Sequence, residues 1–124
     1  MADRKATLEA YFAAVNEDRF EDVAALFTPT ATITAPGAGT VKQPDIAAYL
    51  TKALSGYPAH HDEPTRTLLA ENAATVEITF TGELADGTKI VFDALDVFDF
   101  DEQARITKLT TWFDSHKLFK QLRQ

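Results

Sequence analysis

A single aspartate stands where an apolar residue is expected. In the run Ile90-Val91-Phe92-Asp93-Ala94-Leu95-Asp96-Val97-Phe98-Asp99-Phe100, strand alternation puts Ile90, Phe92, Ala94, Asp96, Phe98 and Phe100 on one face and the remaining residues on the other. Asp93 and Asp99 therefore look outward, whereas Asp96 looks in. A carboxylate facing an apolar interior is costly unless it is hydrogen-bonded, neutralised or opened to a wet cavity. A chain that keeps one there is expected to hold a polar pocket within its core. There a desolvated carboxyl with a raised pKa can donate a hydrogen bond or, once ionised, act as a general base. A buried acid satisfied by a neighbouring donor is the structural alternative. Tyr11 suits that second role, because it falls on the apolar face of a predicted helix and a buried phenol needs a partner.

Other clusters offer less chemistry. His60, His61 and Asp62 have metal-ligand character, but neighbours on an extended chain point to opposite sides and no third ligand has suitable spacing, so no metal is expected. Gly37-Ala38-Gly39 lacks the third glycine and the helix context of a phosphate-binding loop, and no cofactor is expected. Ser115 and His116 are adjacent in sequence, which does not by itself position a base on a nucleophile. Cysteine is absent, which excludes disulfide scaffolds and thiolate chemistry.

These residues belong to a chain of 124 residues, 45% hydrophobic and 25% charged, the proportions of one soluble globular domain spanning residues 1–124. Nineteen acidic against twelve basic side chains leave a net charge of -7, which repels nucleic acid and anionic lipid alike. No apolar stretch reaches membrane-spanning length, and Met1-Ala2-Asp3-Arg4-Lys5 carries no apolar signal core, so a cytoplasmic location is expected.

Periodicity supplies the elements that must hold Asp96 and Tyr11. Leu8, Tyr11, Phe12 and Val15 repeat at helical spacing from Asp3 or Ala6 onward, and Phe20, Val23, Ala24 and Phe27 repeat it over a shorter helix that Pro29 stops at Thr28. Thr30 to Ala35 reads as a strand ending at Pro36-Gly37-Ala38-Gly39. Pro44 is placed as the first residue of a third helix, whose stripe of Ile46, Leu50, Ala53 and Leu54 ends at Ser55-Gly56. Strands are then predicted over Thr65 to Leu69, Thr75 to Glu83 and Arg105 to Asp114, with Asp86-Gly87 as the hairpin turn before the Asp96 strand. Val76, Ile78 and Phe80 share one face. The tail around Leu118, Phe119 and Leu122 reads as a short helical cap. Helices followed by antiparallel strands mean an α+β fold.

This order, with the segments Tyr11-Phe12-Ala13-Ala14-Val15-Asn16, Asp22-Val23-Ala24-Ala25-Leu26-Phe27 and Leu95-Asp96-Val97-Phe98-Asp99-Phe100-Asp101, resembles the nuclear transport factor 2-like superfamily. It is most similar to the SnoaL-like and ketosteroid isomerase-like branch, from about Leu8 to Leu118. The resemblance implies a cone of three N-terminal helices packed on a curved, mostly antiparallel sheet. It further implies that Asp96 sits where the isomerases keep a protonated aspartic acid for the developing enolate oxygen, a case the physical chemistry of apolar sites explains. Tyr11 falls at the tyrosine of that oxyanion hole, and Asp96 also matches the catalytic aspartate of SnoaL-type cyclases. The aspartate that shuttles the proton would fall at Ala35. His61 is a candidate to supply the missing base from the pocket mouth, since histidine titrates in the useful range.

Phe12, Val15, Ala35, Val76, Ile78, Phe80 and Phe98 are expected to line the pocket with Leu109 and Phe113. The resemblance turns those last two inward and puts Trp112, with Val91, Leu95 and Val97, on an outer face suited to a homodimer. An epoxide hydrolase would, by the same resemblance, need an aspartate and an arginine two apart on a strand with a second aspartate opposite, and Arg66 has no such partner. The expected ligand is small and mainly apolar with a carbonyl or hydroxyl oxygen. The expected chemistry is cofactor-free proton transfer next to the carbonyl, as in isomerisation, aldol-type cyclisation or dehydration. A non-catalytic binding or association domain of the same fold is the alternative.

Overall fold

A computed structural model describes residues 3–123. Asp3 caps the first helix, α1 (Arg4–Asn16), its carboxylate accepting from the amides of Lys5 and Ala6 at 2.9 and 3.2 Å and so satisfying donors that a helix N-terminus leaves open. Leu8, Tyr11, Phe12 and Val15 form the buried stripe that their spacing predicts. The second helix, α2 (Phe20–Ala24), is shorter than expected and ends before Thr28. Strand β1 (Phe27–Ala35) takes up the chain instead and contains Pro29. Proline is tolerated there because the pairing of β1 with the last strand is irregular between Phe27 and Thr32, leaving no ladder bond for its missing N–H to make.

The tight turn at Gly37, with φ of 79°, leads into a short strand that sequence periodicity does not reveal, β2 (Gly39–Lys42). Helix α3 (Ile46–Leu54) follows, with Asp45 rather than Pro44 at its boundary. Pro44 lies outside the helix after a cis peptide bond. Strands β3 (Ala59–Leu69), β4 (Ala73–Glu83), β5 (Lys89–Phe100) and β6 (Ile106–Phe113) complete the sheet, and α4 (Ser115–Leu122) ends the chain. The three helices before β3 are thus not consecutive, because β1 and β2 separate α2 from α3, and a fourth helix closes the fold.

The sheet order is β2-β1-β6-β5-β4-β3. Every neighbouring pair is antiparallel except β1 with β6, so the first long strand and the last meet in the middle of the sheet. Helices α1 to α3 cover one face of this curved, mostly antiparallel sheet. The main core lies between them, built from Leu8, Phe12, Val15, Val23, Ile46, Phe98 and Ile106 among others. A smaller cluster of Phe80, Ile90 and Phe92 packs toward α4. Among the described residues no helix is long and apolar enough to cross a membrane.

Gly82 on β4 shapes the smaller cluster. A Cβ there would lie 2.7 Å from Cδ1 of Tyr57 and 3.0 Å from the Phe80 ring, so the absence of a side chain lets Tyr57 sit edge-on against Phe80, with ring centroids 5.2 Å apart. Gly82→Ala is expected to cost about 1–3 kcal/mol by overpacking, read as a lower urea midpoint at unchanged slope. An unchanged midpoint would mean that Tyr57 swings aside freely.

Candidate functional site

The alternation of β5 holds in the folded chain: Ile90, Phe92, Asp96, Phe98 and Phe100 are buried while Val91 and Asp93 are exposed. Asp96 is only 5% exposed. Directly across on β6 stands Thr111, whose Oγ1 donates to Asp96 Oδ1 at 2.8 Å. Cross-strand neighbours lie close enough for this bond because their side chains share a face. Oδ2 of Asp96 has no protein partner among the described residues, and the side chain lines a pocket of about 450 Å³, a size that admits a small organic molecule.

Tyr11 from α1 and Tyr49 from α3 reach the same space, as do Val15, Ile33, Leu50 and Leu109. Phe80, Phe92 and Phe113 form one aromatic wall, Phe92 standing 4.8 Å from Phe80 and 5.1 Å from Phe113 by ring centroid. Leu118 and Phe119 of α4 complete the lining at one end. Helix α4 buries none of its own residues; the Gln121 side chain holds it to the backbone N–H and C=O of Val91, each at 2.9 Å.

A second acid enters the pocket from β3. Asp62 lines it, on the same side of the strand as His60 and Pro64. Its backbone is clasped from α1: the Asp62 N–H donates to Asn16 Oδ1 at 2.8 Å, and Asn16 Nδ2 donates to the Asp62 carbonyl at 3.0 Å. Burial pushes the Asp62 carboxyl up to about 6, against the opposing influence of His60 and His61. Burial likewise pushes Asp96 up to about 7; the Thr111 bond works against this and the Asp62 charge adds to it. Asp62 therefore ionises first, and Asp96 must ionise against the charge already present. Burial, then the charges of Asp96 and Asp62, hold the Tyr11 phenol well above its usual 10.0, so Tyr11 remains a donor near neutrality.

Sequence reasoning and geometry part at several residues. Val15, Ala35, Ile78, Phe80, Leu109 and Phe113 line the pocket with Asp96 and Tyr11. Phe12, Val76 and Phe98 do not; they belong to the solid core, where the Phe98 ring packs edge-on to Tyr11 at 5.1 Å and fills the space below it. Tyr11 makes no direct hydrogen bond to Asp96 among the described residues, and Thr111 takes that part.

His61 is not brought to the pocket. Its side chain is 51% exposed and pairs with Glu63 at 2.9 Å, because alternation turns residues 61 and 63 outward when Asp62 turns in. His60 faces inward, 3% exposed, with Nε2 on Asp18 Oδ1 and Nδ1 without a partner among the described residues. Arg66 pairs with Glu77 at 2.7 Å, away from the pocket. Thr111, Tyr49 and Tyr57 escaped the sequence reading, which took Asp62 only as a metal-ligand candidate. Alternation alone placed Thr111 on the Leu109–Phe113 face and forced either His61 or Asp62 inward, but β3 carries too few apolar residues to say which.

The raised Asp96 carboxyl has a consequence for stability. The folded chain binds more protons at this site than the unfolded one between 3.8 and about 7, so its contribution to stability falls as pH rises through that window. Asp96→Asn keeps the shape and the Thr111 bond without the charge. It is expected to be more stable than the parent at pH 8 by as much as ~4 kcal/mol, and little different near pH 4, in urea unfolding. Equal pH dependence in the two proteins would mean that the carboxyl is solvated.

A sequence model described as a SnoaL-like domain matches residues 8–109. No curated protein matches the sequence. Among solved structures, an NTF2-like protein of unknown function from Burkholderia pseudomallei superposes with a TM-score of 0.88 at 15% identity over 100% of both chains. A putative SnoaL-like polyketide cyclase from Shewanella putrefaciens gives a TM-score of 0.84 at 13% identity, covering 99% of this chain and 87% of that one. An LEH-like epoxide hydrolase from M. tuberculosis gives 0.77 at 22% identity, covering 95% and 87%. At these identities the likeness is one of fold.

Proposed function

Because the chain belongs to the family of SnoaL-like domains, we propose that its pocket takes a small, mainly apolar molecule with a carbonyl or hydroxyl oxygen. In this reading the chemistry is cofactor-free proton transfer next to the carbonyl, leading to isomerisation, aldol-type cyclisation or dehydration. The observation that carries it is Asp96, sealed among apolar side chains with one oxygen anchored by Thr111 and the other left for a ligand. With its carboxyl raised to about 7, a large fraction is protonated at neutral pH and can donate to an oxygen on which negative charge develops. Tyr11 adds a second donor. Donors fixed before the reaction and shielded from water each contribute on the order of 3 kcal/mol to such a transition state.

Solved structures similar to this one include a putative polyketide cyclase and an epoxide hydrolase. The pocket favours carbonyl chemistry over epoxide opening, since none of the described residues lining it is an arginine. The alternative of a non-catalytic binding domain treats Asp96 and Thr111 as a structural bond. Titration with 2-naphthol, whose oxygen stands in for an enolate, separates the two. Binding is expected to weaken about tenfold or more in Asp96→Ala and in Tyr11→Phe, the loss of one strong hydrogen bond. Unchanged affinity in both variants, with only stability altered, favours the structural bond.

We further propose that the chain forms a homodimer through the outer face of the sheet. Trp112 is 59% exposed and Leu95 stands directly across from it, so β5 and β6 present adjoining apolar side chains on this face, with Val91, 47% exposed, further along β5 beyond Asp93. Light scattering is expected to give twice the mass of 13.7 kDa, and Trp112→Glu to give a monomer. A monomeric parent at all concentrations removes the dimer.

A further inference from the structure

The donors described above can hold an oxygen, but proton transfer also needs an acceptor for the proton. We propose that Asp62 is that acceptor, the general base of the pocket, working in the same pocket as the Asp96 and Tyr11 donors. This rests on the proposed proton-transfer function.

The geometry singles out Asp62 among the titratable groups that reach the pocket. Those described are Tyr11, Tyr49, Tyr57, Asp62 and Asp96. The three phenols are raised by burial, which removes them as bases near neutrality. Asp96 has one oxygen committed to Thr111. The Asp62 carboxylate, by contrast, makes no hydrogen bond or ion pair to a protein group among the described residues, although its backbone is gripped on both sides by Asn16. A residue whose main chain is fixed this firmly and whose acid is left unused is arranged to meet something in the pocket.

Its electrostatic surroundings fit the task. On β3 it has His60 and His61 nearby, whose charges oppose its raised pKa; from α1 comes Tyr11, from α3 Tyr49 and from β5 Asp96. Burial raises both acids, the histidines pull Asp62 back down and the Asp62 charge pushes Asp96 further up, so Asp62 carries the charge more readily and Asp96 holds its proton longer. Two carboxyls whose surroundings drive them apart in this way can serve as base and donor in the same step. The Asp62 carboxylate takes the proton from the carbon beside the carbonyl, the C–H electron pair becomes the carbon–carbon double bond of the enolate, and the carbonyl pair moves onto the oxygen held by Asp96 and Tyr11. Asp62 then returns the proton to carbon.

The probe is 5-nitrobenzisoxazole, which reports on a carboxylate base in an apolar pocket without knowledge of the natural substrate. Asp62 takes the ring C–H proton, the freed pair forms the nitrile as the N–O bond breaks, and the phenoxide oxygen receives the N–O pair. The proton on Asp62 passes to solvent. The intact protein is expected to turn the probe over with a rate that rises with pH to a plateau, its midpoint near 6. Asp62→Asn is expected to lose about a hundredfold or more in kcat/KM while binding 2-naphthol within about twofold of the parent, which also reports that its pocket is folded.

Asp62→Asn turnover within about threefold of the parent overturns the proposal, as does a parent rate no better than free acetate. So does a rising limb that disappears in Asp96→Asn yet survives in Asp62→Asn. Should Asp62→Asn fail to fold, the pH profile of Asp96→Asn decides, with a rising limb that persists supporting the assignment and one that is lost ending it. Unchanged 2-naphthol affinity in Asp96→Ala and in Tyr11→Phe, with turnover still dependent on Asp62, would instead sink the oxygen-holding reading and leave the base in place.

Discussion

The pocket depends on the cost of burying a carboxyl among apolar side chains. An acid in that position must be neutral, hydrogen-bonded or near a cation. Here one bond from Thr111 meets one oxygen of Asp96, and protonation meets much of the remaining cost, since burial raises the group to about 7. The arrangement is poised: enough support to keep the acid inside, too little to hold it ionised. A second donor or a nearby arginine would have made it a permanent carboxylate and a structural feature only.

The rest of the architecture maintains that enclosure. The parallel meeting of β1 and β6 in the middle of an otherwise antiparallel sheet puts β6, and with it Thr111, beside β5. Helix α1 closes one side with Tyr11 and holds β3 through Asn16. Helix α3 supplies Tyr49 and Leu50. Only α4 is attached lightly, with no buried residue of its own and a bidentate amide clasp at Gln121 that continues the β5 ladder where β6 has already ended. The unequal attachment leaves the deep end of the pocket rigid and its α4 end the easiest to open.

The two acids differ because their surroundings do. Asp62 lies near two histidines and keeps its carboxylate free, whereas Asp96 lies deeper and feels the charge of Asp62. Neither residue type accounts for the difference. It arises from burial and from which neighbour has already ionised.

Much of this was legible without coordinates. Alternation along β5 named Asp96 as the inward acid, and the i, i+3, i+4, i+7 spacing of Leu8, Tyr11, Phe12 and Val15 located the helix that carries Tyr11. Both are local periodicities, set by the geometry of one element and written in consecutive residues. The tertiary structure alone decided that Thr111 bonds Asp96, that Phe12, Val76 and Phe98 fill the core while Tyr49 and Tyr57 reach the pocket, and that Asp62 rather than His61 turns inward. Those outcomes depend on strand register and on helix placement across the sheet. Edge strand β3 has too little apolar area on either side for its own sequence to specify which face is buried, so the neighbouring strand and the Asn16 clasp make the choice.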